Sequence, residues 1–204
     1  MKQIVLLVTF FISLSINAQV LQNVSSTNLP DLVKRPFNSM DASVADLDND
    51  GDLDIVLAIE FYKNVILLND GNGNFTDGSY LLPDKIAEAD SKPYQYYPYH
   101  DSEDVMVEDI NKDGLLDILF VTEDDQSNEL YIQKSDGTFQ DNSKQFPVTN
   151  ISNALIKGDF DNDGWTDFIV RNKGQNNYLK NNQGALVDET ILRLPKVSDI
   201  TQDI

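Results

Sequence analysis

The 204-residue chain has no cysteine and one histidine, and only 15 lysines and arginines stand against 34 aspartates and glutamates, for a formal charge of −19. Without cysteine there is no disulfide scaffold, no thiolate-bound zinc or iron–sulfur cluster, and no thiol nucleophile. So few cations leave no basic surface to neutralise a phosphate backbone, so nucleic acid is excluded as a partner. One imidazole offers little for histidine-centred catalysis. Long hydrophobic runs are missing too. The most apolar stretch, Ile4 to Ile16, is 13 residues, short of the ~20 that a spanning helix needs, so no membrane span is expected. Glutamate is scarce: 27 of the acidic residues are Asp and 7 are Glu. A merely solubilising acidic surface would use Glu as freely, whereas Asp belongs to turns and metal loops. Hydrophobic residues at 41% suffice for a core, so the charge does not imply disorder.

Residues 1–18 read as a signal peptide. Lys2 supplies the positive start, the apolar stretch follows, and Ile16-Asn17-Ala18 ends in a small residue suited to cleavage. No Cys follows Ala18, which speaks against a lipid anchor. The expectation is a chain of residues 19–204 that is secreted or held at the cell surface. An exported protein without disulfides depends on packing or on bound metal for its stability.

Three copies of one nine-residue string carry the chain: DLDNDGDLD at 46–54, DINKDGLLD at 109–117 and DFDNDGWTD at 159–167. They share D-x-[DN]-x-D-G-x-x-D, a pattern expected by chance roughly 0.005 times in a chain of this composition. Their surroundings repeat as well. Short alternating segments precede them (42–45, 104–107 and 153–156), and β-branched apolar runs follow at 55–59, 118–121 and 168–170. Another strand comes next in each copy (64–69, 129–133 and 177–180), then a Gly/Asn turn and an edge-like piece (75–77, 139–141 and 186–188), with Pro83, Pro147 or Pro195 beyond. Each unit therefore reads as four short antiparallel strands, with the acidic string as the hairpin loop between the first two. Starts 63 and 50 residues apart suit β-propeller blades. The additional residues of the first interval, 85–100, are expected to form a surface loop.

In the first and third strings carboxylates fall at positions 1, 3, 5 and 9, and the second has Asn111 at position 3. In all three, Gly at position 6 allows a sharp turn and the position-7 carbonyl is available. Oxygen donors in that number suit Ca²⁺, which takes 6 to 8 oxygens at about 2.3–2.6 Å, better than Mg²⁺ or a transition metal. The first loop would use Asp46, Asp48, Asp50, the Asp52 carbonyl and Asp54. The second would use Asp109, Asn111, Asp113, the Leu115 carbonyl and Asp117, and it has one carboxylate fewer, so the weakest site is expected there. The third would use Asp159, Asp161, Asp163, the Trp165 carbonyl and Asp167. Up to three Ca²⁺ are expected. An EF-hand starts with the same spacing but ends in a bidentate Glu at position 12, where this chain has Leu57, Phe120 and Val170, which cannot ligate. A metal-free Asp/Gly turn is the alternative, opposed by the mutual repulsion of four carboxylates in one turn.

The succession of strand, D-x-D-x-D-G-x-x-D, strand, strand and Gly71-Asn72-Gly73-Asn74-Phe75 resembles the FG-GAP/VCBS repeat, a relative of the calcium-binding blades of the integrin alpha-chain propeller. The resemblance covers residues 20–204, with Asn111 as its departure. It implies an all-β, seven- or eight-bladed propeller with Ca²⁺ in the hairpin loops, used in extracellular adhesion or attached to polysaccharide-acting enzymes. It does not supply a ligand.

About three blades are present, so an incomplete ring is expected. Residues 197–204 resemble the approach to the second loop, with Asp203 as position 1 of a fourth, and a longer, C-terminally truncated protein is the expectation. Residues 21–25 resemble the end of a unit and are expected to form a strand completing the last blade. The segment 94–100 gathers four tyrosines that suit a glycan or protein contact, or packing of the loop on its own blade. Asp101, Glu103, Asp104 and Glu108 beside His100 are expected to form a solvated acidic loop rather than a second cluster. No G-x-S-x-G, H-E-x-x-H or phosphate loop is present, so no catalytic residues and no enzyme activity are expected. The reading is an extracellular calcium-binding module for protein or carbohydrate binding and adhesion. Its alternative is the substrate-binding part of a secreted carbohydrate-active enzyme.

Overall fold

The computed structural model describes residues 22–31, 38–84, 99–123, 128–197 and 199–200. The expected signal peptide, residues 94–98 of the tyrosine segment, and Asp203 lie outside them. The fold is all-β. Strands β1 (Ser39–Ala45), β2 (Asp54–Ile59), β3 (Val65–Asn69) and β4 (Phe75–Asp77) form one antiparallel meander. The next comprises β5 (Ser102–Glu108), β6 (Asp117–Thr122), β7 (Glu129–Gln133) and β8 (Phe139–Asp141). The last comprises β9 (Ser152–Gly158), β10 (Asp167–Gly174), β11 (Asn177–Asn182) and β12 (Ala185–Asp188). Each acidic string joins the first two strands of its sheet, as the spacing predicts. A short strand β13 (Asp199–Ile200) pairs with the far end of β10, much as Asp101 pairs with Glu60 at the end of β2.

The alternation of strand side chains builds the core between sheets. Val56 and Ala58 of β2 point to one face, where Ile66, Val105, Ile118, Phe120, Tyr131 and Phe139 fill the space between the first and second sheets. Leu119 and Val121 of β6 face the other way and pack with Leu155, Phe168, Val170 and Leu179 between the second and third. β6 is buried along its whole length because both of its faces are covered. The first strands of successive sheets, β1, β5 and β9, lie side by side. Three blade-like sheets stacked through their faces make an incomplete propeller-like array with no closed barrel.

Polar ties between units repeat as regularly. Asn64, just before β3, accepts the Ile59 N–H (2.9 Å), and its amide donates to Ser102 Oγ (3.0 Å) in the next sheet. Asn128 does the same with Thr122 N–H (2.9 Å) and Ser152 Oγ (3.3 Å). At the end of each fourth strand an Asp makes an Asx turn that leads into a helical turn. The N–H groups of Ser79, Ser143 and Thr190 donate to Asp77, Asp141 and Asp188, each at 2.9 Å. The opening residues join this pattern and do not form the expected strand. Asn23 accepts the Ser25 N–H (3.0 Å) and a helical turn, α1 (Ser25–Asn28), follows, so this segment matches the Asx turn and helical turn that end a unit. Leu29 then packs on the outer face of the first sheet.

Candidate metal loops

The three loops fold alike because their polar groups bond within the string. The position-1 carboxylate, Asp46, Asp109 or Asp159, accepts the N–H of position 5 at 3.1 Å through Oδ1. Its Oδ2 accepts the N–H of Gly51 (3.0 Å), Gly114 (3.0 Å) or Gly164 (2.9 Å). These glycines have φ of 96°, 88° and 89°, the left-handed region in which a Cβ is strained. Position 4 is left-handed as well, at Asn49 (φ 60°), Lys112 (58°) and Asn162 (59°). Asn tolerates that conformation and Lys does not favour it, a constraint absent from the motif as first read.

Position 9 has a second task. Asp54 is fully buried and accepts two backbone N–H groups, from Leu47 at the loop entrance and Asn69 at the end of β3, both at 2.9 Å. Asp117 likewise accepts from Ile110 (3.1 Å) and Gln133 (2.9 Å). Asp167 takes the Asn181 N–H (2.9 Å) and the Tyr178 hydroxyl (2.5 Å). Asp54 and Asp117 clamp the loop entrance to the third strand of their sheet, and Asp167 ties the loop exit to β11. An oxygen that accepts one N–H retains a lone pair, so the clamp does not prevent ligation. Burial, against the pull of its two N–H donors and with repulsion from Asp113 and Asp109, pushes Asp117 up to about 6.

Carboxylate oxygens of Asp46, Asp48 and Asp50 lie within 4.8 Å of one another, and so do those of Asp159, Asp161 and Asp167. Oxygens bound to one cation at about 2.4 Å can be at most about 4.8 Å apart, so neither trio is too wide to share a single Ca²⁺. In the first loop, burial and then the charges of Asp54, Asp50 and Asp46 raise the Asp48 pKa, a repulsion that a cation would relieve. In the second loop the Asn111 amide donates to Asp113 Oδ2 (3.0 Å) where the other loops have a carboxylate. The residues would hold the ion through Asp46, Asp48 and Asp50, through Asp109 and Asp113, and through Asp159, Asp161 and Asp167. Asp54 and Asp117 lie beneath the first two loops, and Asp163, paired with Lys180, lies outside the third trio. A bound ion supplies charge neutralisation and cross-linking of the hairpin.

Residues 109–170, from the first Asp of the second loop into β10, match the family model described as FG-GAP-like repeat. The matched segment contains two of the three acidic loops, the second sheet after its first strand, β9 and the start of β10. No curated protein matches the sequence significantly. A solved structure of an Agrocybe aegerita lectin, described by its specific recognition of non-reducing terminal N-acetylglucosamine, is similar at 18% identity and a TM-score of 0.44. The match covers 72% of this chain and 36% of that one.

The acidic stretch after His100 departs from the solvated loop expected of it. Asp101 is 1% and His100 6% exposed, and residues 102–108 are strand β5. Oxygens of Asp101, Glu103 and Glu123 gather within 4.8 Å, and His100 lies 3.8 Å from Glu129. Asp41 and Asp104, just past the register shifts in β1 and β5, link neighbouring sheets along their first strands. Asp41 accepts the Val105 N–H (3.3 Å) and Asp104 the Leu155 N–H (2.6 Å). Burial, aided by the hydrogen bond that a protonated Asp104 donates to the Asp41 carboxylate, pushes Asp104 up to about 7.

The folded state therefore holds a proton at Asp104 that the unfolded chain, with an Asp pKa near ~3.9, gives up. That stabilisation is complete below about pH 4 and is lost as pH rises through about 7. Asp104→Asn keeps both an acceptor and a donor without the charge. In chelator it should melt higher than the parent at about pH 8, with the gap closing toward pH 4. A variant that melts lower than the parent at pH 8 would show that the charged form is the one the fold prefers.

Proposed function

We propose that this chain is an exported, calcium-stabilised binding module for a protein or glycan ligand. Its ions stiffen the hairpins and take no part in chemistry. The observation that carries the reading is the threefold recurrence of one loop. Three sheets repeat the same internal hydrogen bonds, and in two of the loops the carboxylate oxygens already sit close enough to share an ion. An FG-GAP-like repeat and a chain without disulfides support the same reading, because metal cross-links then replace covalent ones. Stiff loops at one end of every sheet present a fixed surface, as binding loops on a rigid scaffold do.

The test is a screen of the protein against immobilised glycans and extracellular-matrix proteins, run in calcium and again in chelator. Saturable binding that is lost in chelator is the expected result. Binding that is indifferent to calcium would remove the ions from the functional account, and catalytic turnover of a bound polysaccharide would replace the binding module with an enzyme.

A further inference from the structure

The third loop differs from the others in its surroundings. Lys180 Nζ contacts Asp161 Oδ2 and lies 2.7 Å from Asp163 Oδ2, and Arg193 Nη2 is 3.2 Å from Asp161 Oδ2. The Lys180 and Asp161 side chains are half-buried, 17% and 15% exposed, so the pair is only partly screened by solvent. Lys112 of the second loop reaches across to the Gly164 carbonyl and lies 4.4 Å over the Trp165 ring. Among the described residues, no Lys or Arg pairs with the carboxylates of the first or second loop.

The position of Lys180 explains the difference. It precedes Asn181, whose N–H binds the position-9 carboxylate, and the residues in the same place are Leu68 before Asn69 and Ile132 before Gln133. Leu68 and Ile132 pack into the apolar layers between sheets. In the third unit this side chain turns instead to the loop and brings an ammonium to the carboxylates that a divalent ion would occupy.

Resting on the metal reading above, we propose that Lys180, seconded by Arg193, is a built-in counter-cation of the third loop. It neutralises Asp161 and Asp163 when no divalent ion is bound and must be displaced for one to enter. The third loop therefore takes calcium more weakly than the first, although its string has the full set of carboxylates. Ligand count alone would rank the two equal. Charge-assisted hydrogen bonds that must be given up on binding lower the affinity of the site that makes them.

Trp165, the only tryptophan, lies inside this loop and makes the test site-specific. Terbium, a luminescent stand-in for calcium, is titrated into the full chain while emission is excited through the indole alone, and the calcium-dependent melting temperature is measured on the same samples. Lys180→Met should bring half-saturation of the Trp-sensitised signal to about ten-fold lower terbium, and Lys180→Gln should shift it the same way. Lys180→Arg should leave it near the parent value. Unchanged or weaker binding in both Lys180→Met and Lys180→Gln overturns the proposal. So does the absence of Trp-sensitised emission from every protein while calcium still raises the parent's melting temperature. Should calcium raise no melting temperature at all, the metal reading itself fails along with the proposal.

Discussion

Calcium added in excess to the chelator-treated protein should raise its melting temperature by about 10–20 °C. A ligand that binds only the folded state at about 100 times its Kd contributes about 2.7 kcal/mol per site. Two filled loops thus contribute about 5 kcal/mol, and each kcal/mol moves Tm by about 2–4 °C in a chain of this size. The physical source is repulsion: the first loop sets Asp46, Asp48, Asp50 and Asp54 in one turn, with no cationic side chain beside them among the described residues. Bound calcium would bridge those charges, and chelation would restore their repulsion. Magnesium should do far less, because it requires a smaller, near-octahedral shell and keeps its waters. Asp50→Ala should lower the melting temperature in calcium and leave it nearly unchanged in chelator. Asp163→Ala should lower it in calcium and, by less, in chelator, where the Lys180 ion pair is lost. An equal loss in both conditions would assign those side chains a role other than ligation.

The second large effect belongs to the carboxylates beneath the loops. Asp117→Ala should destabilise the protein by roughly 4 kcal/mol, since two backbone N–H groups, of Ile110 and Gln133, lose a buried partner and each such loss costs about 1–3 kcal/mol. The melting temperature should fall by about 8–16 °C, and it should fall in chelator as well as in calcium. This persistence separates a clamp from a ligand. Asp113→Ala, at an exposed position of the same loop, should show the opposite pattern, with a loss confined to calcium. If Asp117→Ala melts like the parent in chelator, the clamp is not a source of stability and position 9 serves the metal alone.

Much of this architecture was legible along the chain because it is local. The nine-residue strings dictate their own turns, and the β-branched runs after them must pair with the segments before them, so the four-stranded unit and the place of the loop were both readable. What was not readable depends on a neighbouring unit or on the backbone. The clamping by Asp54, Asp117 and Asp167 requires knowing which N–H groups the loop leaves unpaired. The left-handed position 4 had a signal in Asn49 and Asn162 that Lys112 obscured. The Asx turns at Asp77-Gly78-Ser79, Asp141-Asn142-Ser143 and Asp188-Glu189-Thr190 form a second recurring motif that the reading passed over. Residues 101–108 looked like a solvated acidic run because four of their eight residues are acidic. Their place between neighbouring first strands buries Asp101 and draws Asp104 into a link with β9. Lys180 carried no signal at all, since a lysine in a strand reads as a solvated side chain until the fold shows the loop beside it.

The most direct test of the loops as metal sites is a calorimetric titration of the folded, chelator-stripped protein with calcium, repeated with Asp46→Ala and Asp50→Ala combined in the first loop. The expected result is saturable binding of two to three ions per chain, with the tightest class lost in the double variant and little competition from magnesium. A folded parent protein that binds no calcium would contradict it, and would leave the acidic strings as turns held by their own backbone hydrogen bonds.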